Sequence, residues 1–219
     1  MIMIGCIIQA RMESTRLPGK VMKKLDLQNY SLDYTINQLN ECPSLKKIII
    51  ATTMNPEDDV IENFANEKKI NIFRGDSEDV LSRYYHCAKT FSLDSIIRVT
   101  GDCPLIDPKI VEKGIKIYLK ENCDYLTNTS PRTFPDGNET EIFSFSALTN
   151  AFNNATLPSE REHVTPYFRN NPKDFRIYNF TNNEDISNLR WTLDYDIDLK
   201  LIKIIISKIQ TRPIHMNDI

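Results

Sequence analysis

Ile7-Ile8-Gln9-Ala10-Arg11-Met12-Glu13-Ser14-Thr15-Arg16-Leu17-Pro18-Gly19-Lys20 begins inside an apolar run and ends in a cationic loop. The run from Ile2 to Gln9 reads as a first β-strand, so the basic loop leaves the strand's carboxyl end. From Arg11 to Lys24 the chain carries Arg11, Arg16, Lys20, Lys23 and Lys24 against one acid, Glu13, a local +4 in a chain whose formal charge is −3. Ser14, Thr15 and Gly19 leave backbone amides accessible, and arginine and lysine add charge-assisted donors, a combination suited to a polyphosphate. The loop is not a Walker A motif. Ser14 stands where its first glycine belongs, and Val21 follows Lys20 where a serine or threonine would hold magnesium.

Outward from this loop, strand-like and helix-like stretches alternate. Leu32, Ile36 and Leu39 recur at helical spacing, Lys46–Thr52 is a β-branched strand, and Val60, Ile61, Phe64 and Ala65 form a helical stripe. Ile70–Phe73 is a short strand, Val80, Leu81, Tyr84, Tyr85 and Ala88 share a helix face, and Ser95–Thr100 is another strand. Asp107-Pro108 starts a helix with an N-cap and a first-turn proline. The β-α-β-α rhythm predicts a mainly parallel α/β sheet with helices on both faces, whose ligands bind beyond the carboxyl ends of the strands. That rule selects the loop after Gln9, Thr52-Thr53 and Gly101-Asp102. Further on, Thr129–Asn138, with two prolines, an arginine and a glycine, reads as an active-site loop or insertion. Glu139–Phe145 alternates like a half-exposed strand, and Ser159–Glu162 matches a capping box that starts a helix. Phe175–Phe180 and Leu189–Leu193 read as strands, and Leu199, Ile202, Ile206 and Ile209 lie on a last helix. With no repeat or linker, one domain over residues 1–219 is expected, with an acceptor-side region at about 129–180.

The composition of the 219 residues, 41% hydrophobic and 26% charged, is that of a globular chain. The near-balance of charge speaks against a general nucleic-acid binder. No apolar run approaches membrane-spanning length. The five cysteines lack metal-site or disulfide-framework spacing and read as reduced, mostly buried thiols in a cytoplasmic protein.

Two acids end predicted strands. Asp102 in Arg98-Val99-Thr100-Gly101-Asp102-Cys103-Pro104 is placed to hold a divalent cation, since Mg²⁺ is usually held by one or two carboxylates plus substrate phosphates. Asp194 in Arg190-Trp191-Thr192-Leu193-Asp194 is the second candidate. Asp196 or Asp198 is expected to cap the last helix, and an EF-hand is excluded because Leu199 and Ile205 stand where glycine and glutamate are required. His86 and His215 read as structural or surface residues. His163 beside Arg161 suits an anionic substrate or a surface salt-bridge network. Gly-x-Ser-x-Gly and Gly-x-Gly-x-x-Gly are both absent.

Taken in order, these segments resemble the cytidylyltransferases that activate acidic sugars. The nearest branch is the spore coat polysaccharide biosynthesis protein F group, and the 3-deoxy-manno-octulosonate and acylneuraminate cytidylyltransferases are relatives. The resemblance runs through Ile7–Lys20, Asp79-Val80-Leu81-Ser82-Arg83-Tyr84, Arg98–Pro108, Phe134-Pro135-Asp136-Gly137, Glu141–Ser144, Arg161–Thr165 and Arg190–Asp194. It implies a Rossmann-like α/β/α nucleotidyltransferase fold of the nucleotide-diphospho-sugar transferase type, CTP as donor and Mg²⁺ as cofactor. It places Ala10, Arg11, Ser14, Arg16, Lys20 and Arg98 on CTP, with Lys20, Arg11 and Asp102 catalytic. Asp102 and Asp194 become the metal ligands, and Asp136, Glu141, Arg161 and His163 face the acceptor. The chain departs from its relatives after Asp194, where Tyr195-Asp196-Ile197-Asp198 replaces a Pro-Glu-Asp-like run, and neither later acid is given a ligand role. Related enzymes are commonly homodimers. The acceptor is left open between a ulosonic acid, giving a CMP-linked product, and a phosphorylated polyol or sugar, giving a CDP-linked one. Two other readings stand beside this one: a metal-dependent glycosyltransferase using a nucleotide sugar, and a nucleotide-binding module without catalysis. Three loop cations suit a free triphosphate better than a diphosphate-sugar, and the acceptor-side residues argue against a mere binding module.

Overall fold

A computed structural model describes residues 2–219. Among the described residues, seven strands form one sheet in the order β3-β2-β1-β4-β6-β5-β7. β1 (Ile4–Gln9), β2 (Lys47–Thr53), β3 (Asn71–Gly75) and β4 (Ser95–Thr100) are parallel. β6 (Glu141–Ser144) runs antiparallel to both β4 and β5 (Tyr125–Thr127), and β7 (Ile177–Asn179) pairs in parallel with β5. The chain builds outward from β1 through β2 to β3 and then returns to place β4 on β1's other side. The carboxyl ends of β1 and β4 therefore border the switch point of the sheet, where doubly wound folds place ligands.

The buried strands take their helices on both faces, as the near-continuous runs Ile48-Ile49-Ile50-Ala51 and Ser95-Ile96-Ile97 require. α1 (Ser31–Asn40), α2 (Asp59–Lys68) and α4 (Pro108–Glu121) enclose one core with Cys6, Ile8, Ile50, Ile97 and Val99. α3 (Val80–Thr90), α5 (Phe145–Asn154) and α7 (Pro166–Asn170) enclose the other with Ile7, Ile49, Ile96, Tyr125 and Phe143. α6 (Pro158–His163) packs on α3. α8 (Asp196–Lys208) closes a third, smaller core, in which Ile202, Ile205 and Ile206 cover Leu17, Leu105, Trp191 and Leu193. That cluster ties the loop after β1 to the segment before α8. Asp107 caps α4 through Lys109 N–H at 2.8 Å, with Pro108 in the first turn, as its sequence predicts. The five cysteines are free thiols and all are buried. Among the described residues, no helix is long and apolar enough to cross a membrane.

Four sequence expectations are corrected. Leu189–Leu193 is not a strand; only Arg190 makes a lone bridge, to Asp136, because the segment lies beyond the sheet and spends its amides on loops. β6 is not half-exposed: Glu141, Ile142 and Phe143 are all buried, since the strand lies inside the sheet between β4 and β5. The capping box at Ser159–Glu162 is not made. The helix starts earlier, with Leu157 as N-cap and Pro158 in the first turn, its backbone-preferred place, so Ser159 is already inside α6 and cannot cap it. Val60 turns out to be 41% exposed, so the buried stripe of α2 is Ile61, Phe64 and Ala65.

Gly101 carries the closest approach in this frame. Its N–H donates to the Gln9 carbonyl at 2.8 Å. A Cβ there would meet Val21 Cγ1 at 3.1 Å, Ala10 Cβ at 3.2 Å and the Gln9 oxygen at 3.2 Å. Gly101→Val is therefore expected to cost about 2 kcal/mol, the scale of overpacking a filled site, measured as a lowered urea midpoint at unchanged m-value; a midpoint equal to wild type refutes the constraint.

Candidate active site

The basic loop is held at three points. Gly19 N–H donates to the Met12 carbonyl at 2.9 Å, closing the loop on itself, with Gly19 at φ 67°, where glycine sits without a side-chain penalty. The buried Asp58 carboxylate accepts from Met12 N–H at 2.6 Å and from the Thr53 hydroxyl at 2.5 Å, which binds the loop to the end of β2. Leu17 is buried in the α8 core. With its backbone fixed on both sides, the loop turns through Lys20–Met22 and directs Lys20 at the end of β4.

Asp102 follows Gly101 there, and its carbonyl accepts Leu193 N–H at 2.8 Å, which brings the next residue, Asp194, alongside. Lys20 Nζ lies 2.5 Å from Asp102 Oδ2 and 2.8 Å from Asp194 Oδ1. Arg16 Nη2 reaches the same Asp194 Oδ1 at 2.8 Å, and Arg190 Nη2 holds Oδ2 at 2.9 Å. Burial alone would raise the Asp194 carboxyl. Hydrogen bonds from Lys20 and Arg190, with the charges of Lys20 and Arg16, outweigh it and bring the pKa down to about 2. For Lys20, burial works downward, and the charge and hydrogen bonds of Asp102 and Asp194 reverse it to a net rise. Asp198 accepts from the N–H groups of Asp194 and Tyr195, both at 2.8 Å, so it caps α8, while Asp196 is exposed.

Two cavities flank Asp102. The first, about 280 Å³, is lined by Ala10, Arg11, Ser14, Thr15, Arg16, Lys20 and the Thr100–Asp102 turn. The second, about 220 Å³, is lined by Arg98, Arg132, Asp136, Glu139, Thr192 and Asp194 and shares Thr100 and Asp102 with the first. A larger cavity of about 430 Å³ lies at the amino ends of β2 and β3, between Asp33, Lys46 and Lys68, remote from both aspartates.

The structure thus brings Ala10, Arg11, Ser14, Arg16, Lys20, Asp102 and Asp194 together, with Arg98 and Asp136 on the neighbouring wall. Arg98 and Glu141 face each other across β4 and β6, with Arg98 Nη1 2.8 Å from Glu141 Oε2. Glu141 is buried and also takes the Tyr125 hydroxyl and Arg169, so it anchors Arg98 from behind. Arg161 binds Asp79 and the Phe152 carbonyl, and His163 is exposed on α6; neither lines the two cavities.

Sequence reading did not name Arg132, Glu139, Arg190 or Thr192 as site residues, although Arg132 lies in the loop read as an active-site loop or insertion and Arg190 stands four residues before Asp194. Arg190 also bonds Asp136 at 3.2 Å and Asp198 at 3.2 Å, which clamps the second cavity's rim. Glu139 Oε2 accepts Gly137 N–H, while Oε1 is buried without a hydrogen bond, Arg132 lying 3.2 Å away at an unsuitable angle. Arg98 Nε and Thr192 Oγ1 are likewise buried and unbonded, so unsatisfied polar atoms gather at this cavity. Burial, then the charge of Asp136, pushes the Glu139 carboxyl up to about 7, against the pull of Arg132.

The residues fit a divalent cation. Two carboxylate oxygens lie within 2.8 Å of one ammonium nitrogen, so they are already spaced to share a positive charge. Hard oxygen donors of this number suit Mg²⁺ when phosphates supply the rest. No group of three or more His, Cys, Asp or Glu side chains is placed to hold a metal among the described residues.

Sheet order and helix layers are those of the nucleotidyltransferases of the nucleotide-diphospho-sugar transferase fold. The synthetase of CMP:2-keto-3-deoxy-manno-octonic acid, solved in complex with CTP, superposes with a TM-score of 0.71 over 94% of this chain and 98% of its own, at 14% identity. The chain belongs to the cytidylyltransferase family, whose sequence model matches residues 5–210. A cytidylyltransferase structure from Leptospira borgpetersenii serovar Hardjo-bovis (strain JB197) shares 36% identity and a TM-score of 0.92, covering 96% of this chain and 89% of that one. Spore coat polysaccharide biosynthesis protein SpsF of Bacillus subtilis (strain 168) is 32% identical over 94% of this chain and 88% of its own.

The raised Glu139 carboxyl sets a stability trend. Its contribution is fully present below the ordinary value of 4.5 and is lost as pH rises through about 7, because the unfolded chain releases the proton first. Glu139→Gln removes that loss. The melting temperature of the variant minus that of wild type is expected to grow between about pH 5 and about pH 8; a constant difference contradicts the assignment.

Proposed function

We propose that this protein transfers CMP from CTP to a small acidic or phosphorylated sugar-like acceptor, with Mg²⁺ and release of pyrophosphate, for surface polysaccharide synthesis. One observation carries the reading: two cavities meet at Asp102, one rich in cations from the loop after β1 and the other lined by acids and arginines together. Support comes from the cytidylyltransferase family, from the polysaccharide role in the name of SpsF, and from the acidic-sugar product named for the CTP-bound synthetase.

In this reading Arg11, Ser14, Arg16 and Lys20 hold the triphosphate in the first cavity. The acceptor enters the second, against Asp136, Arg132, Glu139 and Thr192, with Arg98 held between them by Glu141. An acceptor oxygen then stands on the opposite side of the α-phosphorus from the leaving pyrophosphate, as in-line displacement requires. Asp102 and Asp194 would hold the cation, which supplies charge neutralisation at the phosphoryl oxygens when bound. Lys20, Arg16 and Arg11 stabilise the charge that builds on pyrophosphate as the bond to the α-phosphorus breaks. Glu139 Oε1, with no hydrogen bond of its own, accepts one from an acceptor hydroxyl. Arg161 and His163 stand outside this arrangement.

Mixing the protein with CTP, Mg²⁺ and a panel of ulosonic acids and sugar or polyol phosphates should release pyrophosphate with one class of acceptor. Consumption of a nucleotide sugar instead identifies a glycosyltransferase, and no turnover with any acceptor identifies a binding module. Asp102→Asn should lower kcat about a hundredfold or more, the scale seen when a preorganised charge partner is lost. Lys20→Ala should weaken CTP binding or slow turnover. An Asp102→Asn protein with near-normal metal-dependent kcat, or a Lys20→Ala protein with unchanged kinetics, removes that residue from the site.

A further inference from the structure

We infer that Lys20 keeps the Asp102–Asp194 pair closed to divalent cations until nucleotide phosphates draw its ammonium away. The inference rests on the reading of that pair as the cation site and adds an order of loading to it. Lys20 Nζ touches one oxygen of each carboxylate, at 2.5 and 2.8 Å, and so takes the place between them that a shared cation needs. Arg16 adds a second positive group on the same Asp194 oxygen at 2.8 Å. A divalent ion approaching this pair meets the ammonium directly and the guanidinium beside it, and like charges at such range repel strongly where water is largely excluded. Lys20, Asp102 and Asp194 side chains are 16%, 20% and 11% exposed, so screening by solvent is weak.

The same two cations line the first cavity together with Arg11, Ser14 and Thr15. An anion of high charge placed there competes with Asp102 and Asp194 for them. Arg16 is the more exposed member, with half its side chain in solvent. Arg190 is not drawn off with them. It holds the other Asp194 oxygen at 2.9 Å and is itself fastened to Asp136 and Asp198, so Asp194 keeps its orientation when Lys20 and Arg16 leave. Asp102 Oδ2 and Asp194 Oδ1, the oxygens that Lys20 held, then face the cavity at the moment phosphate oxygens arrive to complete a coordination shell. Triphosphate therefore binds first or brings its cation with it, and the nucleotide-free protein holds no metal at this place.

The test is a Mn²⁺ titration of the nucleotide-free protein, followed by electron paramagnetic resonance of the free ion. Removing the ammonium in Lys20→Met should tighten Mn²⁺ binding about tenfold or more relative to wild type. Adding Asp102→Asn to that variant should abolish the gain. Lys20→Gln serves as a second neutral variant, and thermal melting confirms that each protein is folded. Equal Mn²⁺ affinity in wild type and both neutral variants overturns the inference, as does a gain that survives Asp102→Asn. Pyrophosphate release by wild type is scored separately, so a failed latch and a failed transferase reading give different results.

Discussion

Two carboxylates within a few ångströms of one another stay ionised only if positive charge lies between or around them. In this chain the requirement is met at Asp102 and Asp194 by three side chains from two distant stretches: Lys20 and Arg16 in the loop after β1, and Arg190 before α8. Much of the surrounding construction serves that meeting. Asp58 and Leu17 fix the loop, Gly101 lets the ends of β1 and β4 approach, and the Leu193 amide ties the late segment to Asp102. Moving any one of these separates charges that compensate each other, so the cation-rich loop and the acidic strand ends are a single electrostatic unit.

A second ionic unit lies deeper. Arg98 and Glu141 pair in register across β4 and β6, and Tyr125 and Arg169 complete the group. A buried pair of this kind contributes little net stability against an apolar replacement, but losing one partner leaves an uncompensated charge. Its use here is to hold the antiparallel strand in one register. A one-residue slip of β6 would turn Glu141 away and bring Ile142 opposite Arg98. The wall of the second cavity depends on that register.

The parallel half of the fold is legible in the chain because its signals are local. Ser95–Thr100 is a β-branched run bounded by Asp94 and Gly101, and Asp107-Pro108 carries cap and first turn in adjacent residues; both elements appear where those residues put them. The later half is less legible because its residues take partners from far away. The alternation over Glu139–Phe145 suggested an exposed face, yet Glu141 is neutralised by an arginine 43 positions earlier. The apolar residues of Leu189–Leu193 suggested a strand, yet Trp191 and Leu193 are covered by α8 and not by a sheet neighbour. At the site, residue types and strand-end positions pointed to Lys20, Asp102 and Asp194. No local pattern could show that Lys20 and Asp194, 174 residues apart, share one hydrogen bond. Glu139 was given no role because its character comes from burial beside Asp136 and not from its own sequence neighbourhood.

The two cavities have Thr100 and Asp102 in common, with the Asp102–Asp194 pair between them, and otherwise draw on separate lengths of chain. One is made by residues 9–21, packed tightly under α8 and against the end of β2. The other takes Arg132, Asp136 and Glu139 from a loop between two short strands that bears no helix, and the rest of its wall from the end of β4 and the segment before α8. Exchanges at Arg132 or Glu139 leave the loop after β1 and its anchors Asp58 and Leu17 untouched, whereas Asp136 is tied through Arg190 to Asp194. An architecture divided this way separates, along the chain, the residues free to reshape one wall from those that keep the charge cluster together.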